Sequence, residues 1–381
     1  MTCCVIYLRK GNKLLYCNKN DMPIYMDIHE MPEGVNAKHV AEMHQADLKM
    51  EHKYNCRGLT YWCDEKRHTA FCLFEAPDKK SIIDLHDGAH GDVPLRIIEV
   101  NDNIVESFLG RIEDPKKSQN TELNIINDPA FRILVVIKIE KISFKNSTFN
   151  LLKSIFDEFS TIVSRFEGRI VKQKENYFLI SYSSTTNAVQ SALEIKKTFN
   201  KIEDTSVKLN IGLGAGLPVT KNEGLFEETI KVADRLSDIA NEQIVITSEV
   251  KDLYESENLN IPINAKFIRA ISYTDEIFLM DLRDLIEKEW SNSTLNVDDF
   301  CANLGYSQSQ LYRKMTSIVN KSTNNFIKDF RLGKALKLIN KKDKNISEIA
   351  FESGFNSIAY FSKCFKNKYK ILPSIYLKNI N

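Results

Sequence analysis

The feature that most constrains this chain is a pattern that occurs twice near its C-terminal end, over residues 297–318 and 346–366. Each copy has a short apolar segment, then a glycine, and then a second segment that opens on serine. The glycines and serines concerned are Gly305, Gly354, Ser307 and Ser357. Glycine suits the positive φ that ends a helix, and serine is a preferred helix N-cap. The pattern therefore predicts two helix-turn-helix units, joined by a helix over residues 324–340.

The charge of this end is consistent with contact to DNA. From Trp290 onward there are fifteen Lys or Arg and six Asp or Glu, whereas the whole chain carries a net charge of only +1. A basic end on an otherwise acidic chain is typical of a nucleic-acid-binding domain. The alternative, a solvated lysine-rich helical domain, does not explain why the turn signature occurs twice. The residues predicted to contact DNA are Ser307, Gln308, Gln310, Arg313, Lys314, Asn356, Ser357, Tyr360 and Lys363.

Three segments of this region resemble the DNA-binding domain of AraC/XylS-type transcription regulators. They are SQSQLYRKM (307–315), FIKDFRLGKALKLI (326–339) and ISEIAFESGFNSIAYFSKCFKNKYKILPSIY (346–376). The third segment is the most specific, and one departure in it is Lys370, where the family usually has glycine. The resemblance implies a domain over residues 291–381 that sets two recognition helices in successive major grooves of double-stranded DNA.

Length and composition exclude several classes of protein. A chain of 381 residues suggests two to four domains. No stretch of about 18 uncharged apolar residues is present, so the sequence predicts no membrane-spanning helix. The eight cysteines show no CxxC pair and no disulfide framework, which favours the reducing cytoplasm. Residues 1–21 resemble neither a signal peptide nor the segment that follows, so Met22 is a candidate alternative start.

The segment from Pro23 to Val100 predicts a small β-α-β-β-α-β unit. This is the order of a ferredoxin-like sandwich, in which both helices cover one face of an antiparallel sheet. We assign residues 22–104 to this domain. All seven histidines of the chain lie before residue 91, which points to metal or proton chemistry here.

Several of these histidines have spacings that suit a metal ion. His86 and His90 are four residues apart, and His44 and Asp47 share one face of the first predicted helix. Imidazoles together with carboxylates bind Zn, Ni, Cu or Fe(II). The same spacings are common on exposed helices. The alternative is therefore a helix interface or a small-ligand pocket that holds no metal.

The segments DIHEMPEGVNAKHVAEMHQADLKMEHKY (27–54), GLTYWCDEKRHTAFCLFEAPD (58–78) and LHDGAHG (85–91) together resemble a family of small ferredoxin-like bacterial proteins, some described as nickel-binding. The resemblance implies a transition metal ion, Ni or Zn, as a bound effector. The candidate ligands at matching positions are His29, His44, Asp47, His86 and His90.

Residues 130–256 predict a second α/β unit, preceded by a polar linker over residues 105–129. The apolar run RILVVIKIE (132–140) favours a covered central strand. GLGAG (212–216) is a glycine-rich strand end, which is a weak signal for nucleotide binding because no P-loop lysine follows it.

The order of elements in this unit resembles the catalytic domain of class III adenylyl/guanylyl cyclases. The matching segments are GRIVK (168–172), IGLGAG (211–216), VADRL (232–236) and QIVITSEV (243–250). That family needs two Asp to hold two metal ions, but here Lys138 and Asn176 stand at the metal positions. Lys231 replaces the transition-state Asn, and Arg235 is retained. The resemblance thus implies an inactive domain that dimerises or, alternatively, senses a nucleotide or other small molecule.

The sequence therefore predicts a multidomain α+β chain. Its parts are a ferredoxin-like domain (22–104), a cyclase-like α/β sandwich (130–256), a connector with a helix (257–290) and an all-α double helix-turn-helix domain (291–381). The predicted function is transcription regulation in the cytoplasm by a non-enzymatic homodimer, away from membranes, whose DNA binding is controlled by a metal or small-molecule effector. The alternative is a nucleotide cyclase or nucleotide-sensing protein fused to a DNA-binding domain.

Overall fold

The first unit is a four-stranded antiparallel sheet with two helices against one face. The computed structural model describes residues 22–115, 123–141, 148–174, 176–202, 207–259 and 261–380. The elements of the first unit are β1 Ile24–Glu30, α1 Ala37–Tyr54, β2 Arg57–Asp64, β3 Thr69–Glu75, α2 Lys79–Ala89 and β4 Arg96–Val100. Their strand order is β2-β3-β1-β4. Side chains alternate along β1, so that Tyr25 packs under the helices while Met26 packs on the opposite face.

The predicted linker is instead a packed part of the fold. Helix α3, Asp102–Leu109, follows β4 directly and buries Val105 and Phe108. The Arg111 guanidinium carbon lies 4.4 Å from the centroid of the Trp62 ring. Val105, Phe108 and Leu109 form one apolar helix face, but the polar residues that follow them led to the linker prediction. Residues 116–122 of this segment lie outside the described residues.

The second unit is built on a six-stranded sheet. Its elements are β5 Arg132–Lys141, α4 Thr148–Arg165, β6 Arg169–Lys174, β7 Tyr177–Tyr182, α5 Thr185–Phe199, β8 Val207–Gly216, α6 Glu227–Asp238, β9 Ile244–Thr247, α7 Ser248–Glu257 and β10 Ile268–Ile271. The strand order is β10-β9-β8-β5-β7-β6. Strand β10 pairs in parallel with β9, so the predicted connector over residues 257–290 contributes a strand to this sheet.

The two sheets pack against each other through one hydrophobic core. Residues from the back of the first sheet, from the second sheet, from α3 and from α6 contribute to it. Its members include Met26, Trp62, Leu73, Phe108, Leu134, Val136 and Ala233. The N-terminal unit is therefore joined to the second unit by buried apolar surface rather than by a flexible tether.

The glycines of β8 serve the packing of α6. A Cβ atom at Gly212 would lie 2.3 Å from the carbonyl oxygen of Ala233, and one at Gly216 would lie 2.1 Å from Thr229 Oγ1. Only glycine permits the helix to approach the strand so closely. These glycines therefore do not support nucleotide binding by GLGAG, because α6 packs on the face of β8 where they lie.

The C-terminal part is helical throughout the described residues. Its elements are α8 Tyr273–Glu289, α9 Val297–Leu304, α10 Gln308–Lys314, a π-helical turn Met315–Val319, α11 Thr323–Lys341, α12 Ile346–Glu352, α13 Ile358–Tyr369 and α14 Pro373–Ile380. Gly305 and Gly354 have φ of 72° and 77°, as the turn pattern predicted. Among the described helices, none is long and apolar enough to cross a membrane.

The two helix-turn-helix units lie in different hydrophobic cores. The first unit contributes Phe300, Leu311 and Met315 to a core that also contains residues of α6, α8 and β10. The second unit packs around Phe361 and Phe365 with the later part of α11. Helix α11 has residues in both cores and thus joins the two units.

Candidate metal centre and nucleic-acid interface

A cavity of about 260 Å³ lies between β1, α1 and α2. All five predicted metal ligands line it, namely His29, His44, Asp47, His86 and His90. Each of the two helices begins at a side-chain cap, Asn36 for α1 and Asp78 for α2, and these caps fix where the inner face of each helix starts. The fold therefore brings residues from three elements to one buried position.

Three of the five residues, Asp47, His86 and His90, bring possible metal-ligand atoms close together. Asp47 Oδ1 lies 3.2 Å from His86 Nδ1 and 3.1 Å from His90 Nε2, and the two nitrogens lie 3.2 Å apart. Asp47 Oδ1 is buried and accepts no hydrogen bond, since neither imidazole has the orientation that one would need. A buried oxygen without a partner, beside two imidazole nitrogens, is the arrangement expected of a metal-binding triad.

Asp27 contacts both His86 and His29, and it was not among the predicted site residues. Its Oδ2 lies 3.1 Å from His86 Nε2, and its Oδ1 lies 3.5 Å from His29 Nε2. The backbone N–H of Cys72 donates to the same carboxylate at 2.9 Å. The signal was present in the alternation of β1, because Asp27 and His29 are two residues apart and so face the same side of the sheet.

His29 belongs to a second group of possible ligands. Its Nδ1 lies 3.0 Å from Asp92 Oδ2, whereas its Nε2 is buried without a hydrogen-bond partner. Donor atoms of Asp27, His29 and Cys72 lie within 4.8 Å of one another. Neither Cys72 nor Asp92 was among the predicted ligands, because strand pairing and a loop, not local spacing, bring them here.

His44 lines the cavity but lies outside both groups. It is 4% exposed, and its Nδ1 has no hydrogen-bond partner. Its ring centroid lies 5.0 Å from that of Tyr61. Burial lowers the pKa of His44, so this imidazole is neutral near pH 7.

The carboxylates beneath the cavity set the charge of the other histidines. Burial alone would lower the pKa of His86, but Asp27 and Asp47 outweigh it and raise that pKa to about 10. In the same way Asp27 and Asp92 overcome burial and raise the pKa of His29 to about 9. Burial would raise the pKa of Asp27, but the two histidines hold it well below its ordinary value. A metal ion at this position would have to displace imidazole protons.

The donor set fits a borderline transition metal. Two imidazoles and a carboxylate are ligands for Ni or Zn, and they converge at contact distance. Asp27 acts on His86 as carboxylates do in metal sites: when Nε2–H donates to Asp27, the Nδ1 lone pair is directed toward the ion. Asp27 therefore orients one member of the triad and is also one of the second group of possible ligands.

The first recognition helix, α10, has a buried and an exposed face. Leu311 and Met315, four residues apart, are fully buried. Arg313 is exposed, with Nε donating to the carbonyl oxygen of Ser309. Tyr312 is 60% exposed and was not among the predicted contacts. An exposed aromatic ring next to an arginine supplies both apolar and hydrogen-bonding contacts for DNA.

Several residues predicted to contact DNA also make contacts within the protein. Ser307 caps α10, and the side chain of Gln310 accepts from its backbone N–H at 2.9 Å. Gln308 Nε2 donates to Asp298 Oδ1 at 2.6 Å. Lys314 Nζ lies 2.7 Å from Asp275 Oδ1 of α8. These four residues hold the recognition helix in place. The cap at Ser307 follows from the sequence, but the contacts of Gln308 and Lys314 do not, because their partners lie on other helices.

The predicted residues of the second recognition helix, α13, and of the turn before it lie at the surface. Ser357 caps it, and Asn356 and Lys363 are exposed. Tyr360 is 55% exposed, so each recognition helix presents one exposed aromatic side chain.

The cyclase-related positions are occupied by internal contacts. Lys138 Nζ lies 2.9 Å from Asp234 Oδ2 and 2.7 Å from Asp238 Oδ1. Arg235 is 5% exposed, donates to the carbonyl oxygen of Met280 at 2.9 Å and pairs with Asp284. Lys138 therefore places a positive charge at one of the two metal positions of the cyclase family, where it would repel a metal ion.

The remaining two cyclase-related positions lie at the surface. Lys231 pairs with Glu227 on the exposed side of α6, at 2.7 Å. Asn176 is exposed next to the β6–β7 turn. Neither residue shares a site with Arg235.

Comparison with known proteins identifies two domains. Residues 25–100 match the model described as nickel responsive protein SCO4226-like, and residues 300–379 match a helix-turn-helix domain model. The chain thus combines a SCO4226-like domain with a helix-turn-helix domain of the AraC type.

The curated relatives match only part of this chain. Histidine kinase P4 of Formosa agariphila is 37% identical over 117 residues, which cover 30% of this chain and 8% of that protein. The transcriptional regulator MtrA of Neisseria gonorrhoeae is 35% identical over 95 residues, or 25% of this chain and 30% of that regulator. The chain therefore spans less than a third of the length of either relative.

Two solved structures match parts of this chain. SCO4226 from Streptomyces coelicolor A3(2) is 31% identical, with 20% of this chain and 94% of that chain covered, and has a TM-score of 0.19. The C-terminal domain of AraT, a response regulator from Geobacillus stearothermophilus, is 28% identical over 26% of this chain and 81% of that chain, with a TM-score of 0.25.

Proposed function

We propose that this protein is a DNA-binding transcription regulator whose N-terminal domain binds a transition metal ion, Ni or Zn, and so controls its binding to double-stranded DNA. The observation that carries the proposal is the convergence of Asp47, His86 and His90 in a buried cavity, in the same chain as a helix-turn-helix domain. Asp27 orients His86, and His44 shapes the cavity wall without holding the ion. The protein acts in the cytoplasm and without enzymatic activity of its own.

DNA recognition is proposed for the exposed residues of α10 and α13. Tyr312 and Arg313 of the first unit, and Asn356, Tyr360 and Lys363 of the second, contact base edges or phosphates. Ser307, Gln308, Gln310, Lys314 and Ser357 support these contacts by holding the helices in place. The basic charge of the domain strengthens binding at low salt, because phosphate contacts release counterions.

The middle unit is proposed to be an inactive cyclase-like platform that holds two copies of the chain together. Its proposed inactivity follows from Lys138, which fills a metal position with a positive charge, and from Arg235, which is held in an internal contact. The N-terminal unit is correspondingly assigned a ferredoxin-like sandwich, on the basis of its strand order. A symmetric dimer would present two pairs of recognition helices to DNA.

An organic effector is the second candidate, and the wall of the cavity favours it. Met31, Val35, Val40 and Met43 line the cavity together with the histidines. A cavity with an apolar wall and a few polar groups is the common form of a small-ligand site. In this case the imidazoles bind the polar end of an organic molecule instead of a metal ion.

The test begins with the metal content of the purified, untagged protein, followed by calorimetric titration of NiCl₂ and ZnCl₂ into the metal-free protein. We expect stoichiometric binding that is lost in His86→Ala and His90→Ala, and retained within roughly tenfold in His44→Ala, which removes no ligand. Equal loss in all three variants would contradict the ligand assignment. No binding by the wild type would direct attention to an organic effector.

DNA binding is tested separately with duplexes that the wild-type protein selects from a random-sequence library. We expect selected duplexes to bind at least a thousandfold more tightly than unselected DNA at physiological salt. Failure to enrich any sequence, with or without NiCl₂, would contradict sequence-specific regulation.

A further inference from the structure

Helix α6 belongs to two hydrophobic cores. Phe226 at its start and Ala233 near its middle lie in the core that joins the N-terminal sheet to the second sheet. Leu236 and Ile239 at its end lie in the core that contains α8 and the first helix-turn-helix unit. A displacement of α6 therefore changes the packing at both interfaces, because close-packed interiors transmit strain.

The cavity and the first of these cores share strand β1. Asp27 and His29 face the cavity, whereas Met26 and Ile28, the residues that alternate with them, pack on the shared core. If an effector in the cavity moves β1, Met26 and Ile28 move with the strand. The packing between the first and second units then changes as well.

The surface of strand β8 that contacts α6 is formed by glycines. Gly212, Gly214 and Gly216 lie under the helix and present no side chains to it. Ridges of side chains normally lock a packed helix into grooves. On β8 such ridges are absent, and α6 is instead tied to the sheet by Lys138 of β5, which pairs with Asp234 and Asp238.

The buried side chain of Arg235, near the end of α6, makes polar contacts with α8. The Arg235 guanidinium donates to the carbonyl oxygen of Met280 and pairs with Asp284, and Glu287 Oε2 lies 3.8 Å away. Helix α8 in turn holds the first recognition helix through the contact between Asp275 and Lys314. Charge-assisted contacts of this kind are directional, so they carry a displacement better than apolar packing alone.

We infer that α6 couples the N-terminal cavity to the first DNA-reading unit, and that the contact between Arg235 and Asp284 is the link on which this coupling depends. The inference rests on the proposed function, since it requires both an effector in the cavity and DNA bound at the recognition helices. Arg235 thereby has a role in positioning α8, in place of the catalytic role that its cyclase-like position would suggest.

The experiment measures DNA affinity of the full chain with NiCl₂ and with a chelator, using a fluorescent duplex selected by the wild-type protein. For the wild type we expect the two affinities to differ by roughly fivefold or more, which is the usual size of such coupling. In Asp284→Asn and in Arg235→Gln we expect the ratio to fall to within about twofold of one, while the stoichiometry of nickel binding stays unchanged. Asp284 is 68% exposed, so its substitution leaves the packing of the fold in place.

The matched control is Glu227→Gln, which removes a surface ion pair with Lys231 on the same helix and should keep the wild-type ratio. A wild-type ratio in Asp284→Asn, with both ligands still bound, would overturn the coupling role and leave the proposed function standing. A ratio of one in the wild type would overturn metal control itself. The two failures are therefore distinguishable.

Discussion

His86 Nε2 lies 3.1 Å from Asp27 Oδ2, and this contact joins helix α2 to strand β1 beneath the N-terminal cavity. Both side chains are almost completely buried. The contact determines which nitrogen of His86 is directed toward Asp47 and His90. Asp27, which is not a member of the triad of Asp47, His86 and His90, thus determines whether that triad can form.

Asp27→Asn is expected to weaken nickel binding by roughly 10- to 100-fold, the usual effect of removing a carboxylate that orients a ligating histidine. The amide is neutral and presents an N–H as readily as an oxygen to His86, so the imidazole loses its fixed tautomer. Calorimetric titration of NiCl₂ into the metal-free variant measures the change. Asp84→Asn on the exposed side of α2 is the matched control, and equal affinities in the two variants would remove Asp27 from the site.

Much of the fold could be predicted because it depends on local patterns. The order of strands and helices in the first α/β unit, the positive φ at Gly305 and Gly354, and the cap at Ser307 all follow from neighbours within a few residues. Such features are encoded in side-chain periodicity and turn chemistry. Their agreement with the structure reflects how strongly short-range interactions specify them.

The parts that could not be predicted depend on contacts between distant segments. Cys72 reaches the cavity only because β3 pairs with β1, and Lys314 meets Asp275 only because α8 packs on the first helix-turn-helix unit. The pairing of α6 with the glycines of β8 is of the same kind. The periodicity of apolar residues indicates whether a residue lies on a buried or an exposed face. It does not indicate which residue of another element that side chain contacts.

Tyr312→Ala is expected to reduce the affinity for a selected duplex by about 1 kcal/mol, or roughly fivefold, because it removes an apolar contact to DNA. Fluorescence anisotropy at fixed salt measures the effect. Tyr273→Ala removes an equally exposed ring from α8, at 68% exposure, and should leave the affinity unchanged. Equal affinities for Tyr312→Ala and the wild type would place the DNA elsewhere on the domain.

Arg132→Met is expected to lower the free energy of unfolding by about 3 kcal/mol, since it strips partners from several buried carbonyl groups. The guanidinium donates to the carbonyl oxygens of Phe108, Leu109, Pro129 and Phe131 and so caps the end of α3. Burial lowers its pKa to about 10, which still leaves it protonated at pH 7. Urea unfolding measures the loss. Arg165→Met, at a surface pair with Glu194, should change the free energy by less than about 0.5 kcal/mol.

Lys370→Gly is expected to stabilise the second helix-turn-helix unit by about 1 kcal/mol. Lys370 ends α13 with φ of 61°, a left-handed conformation in which a Cβ atom is strained and glycine is not. The resemblance to AraC-type domains singled out this position because glycine is usual there, and the backbone supplies the physical reason. Thermal unfolding followed by circular dichroism measures the change. Lys366→Gly, four residues earlier within the helix, should instead destabilise by about 1 kcal/mol, because glycine there loses conformational entropy without relieving strain.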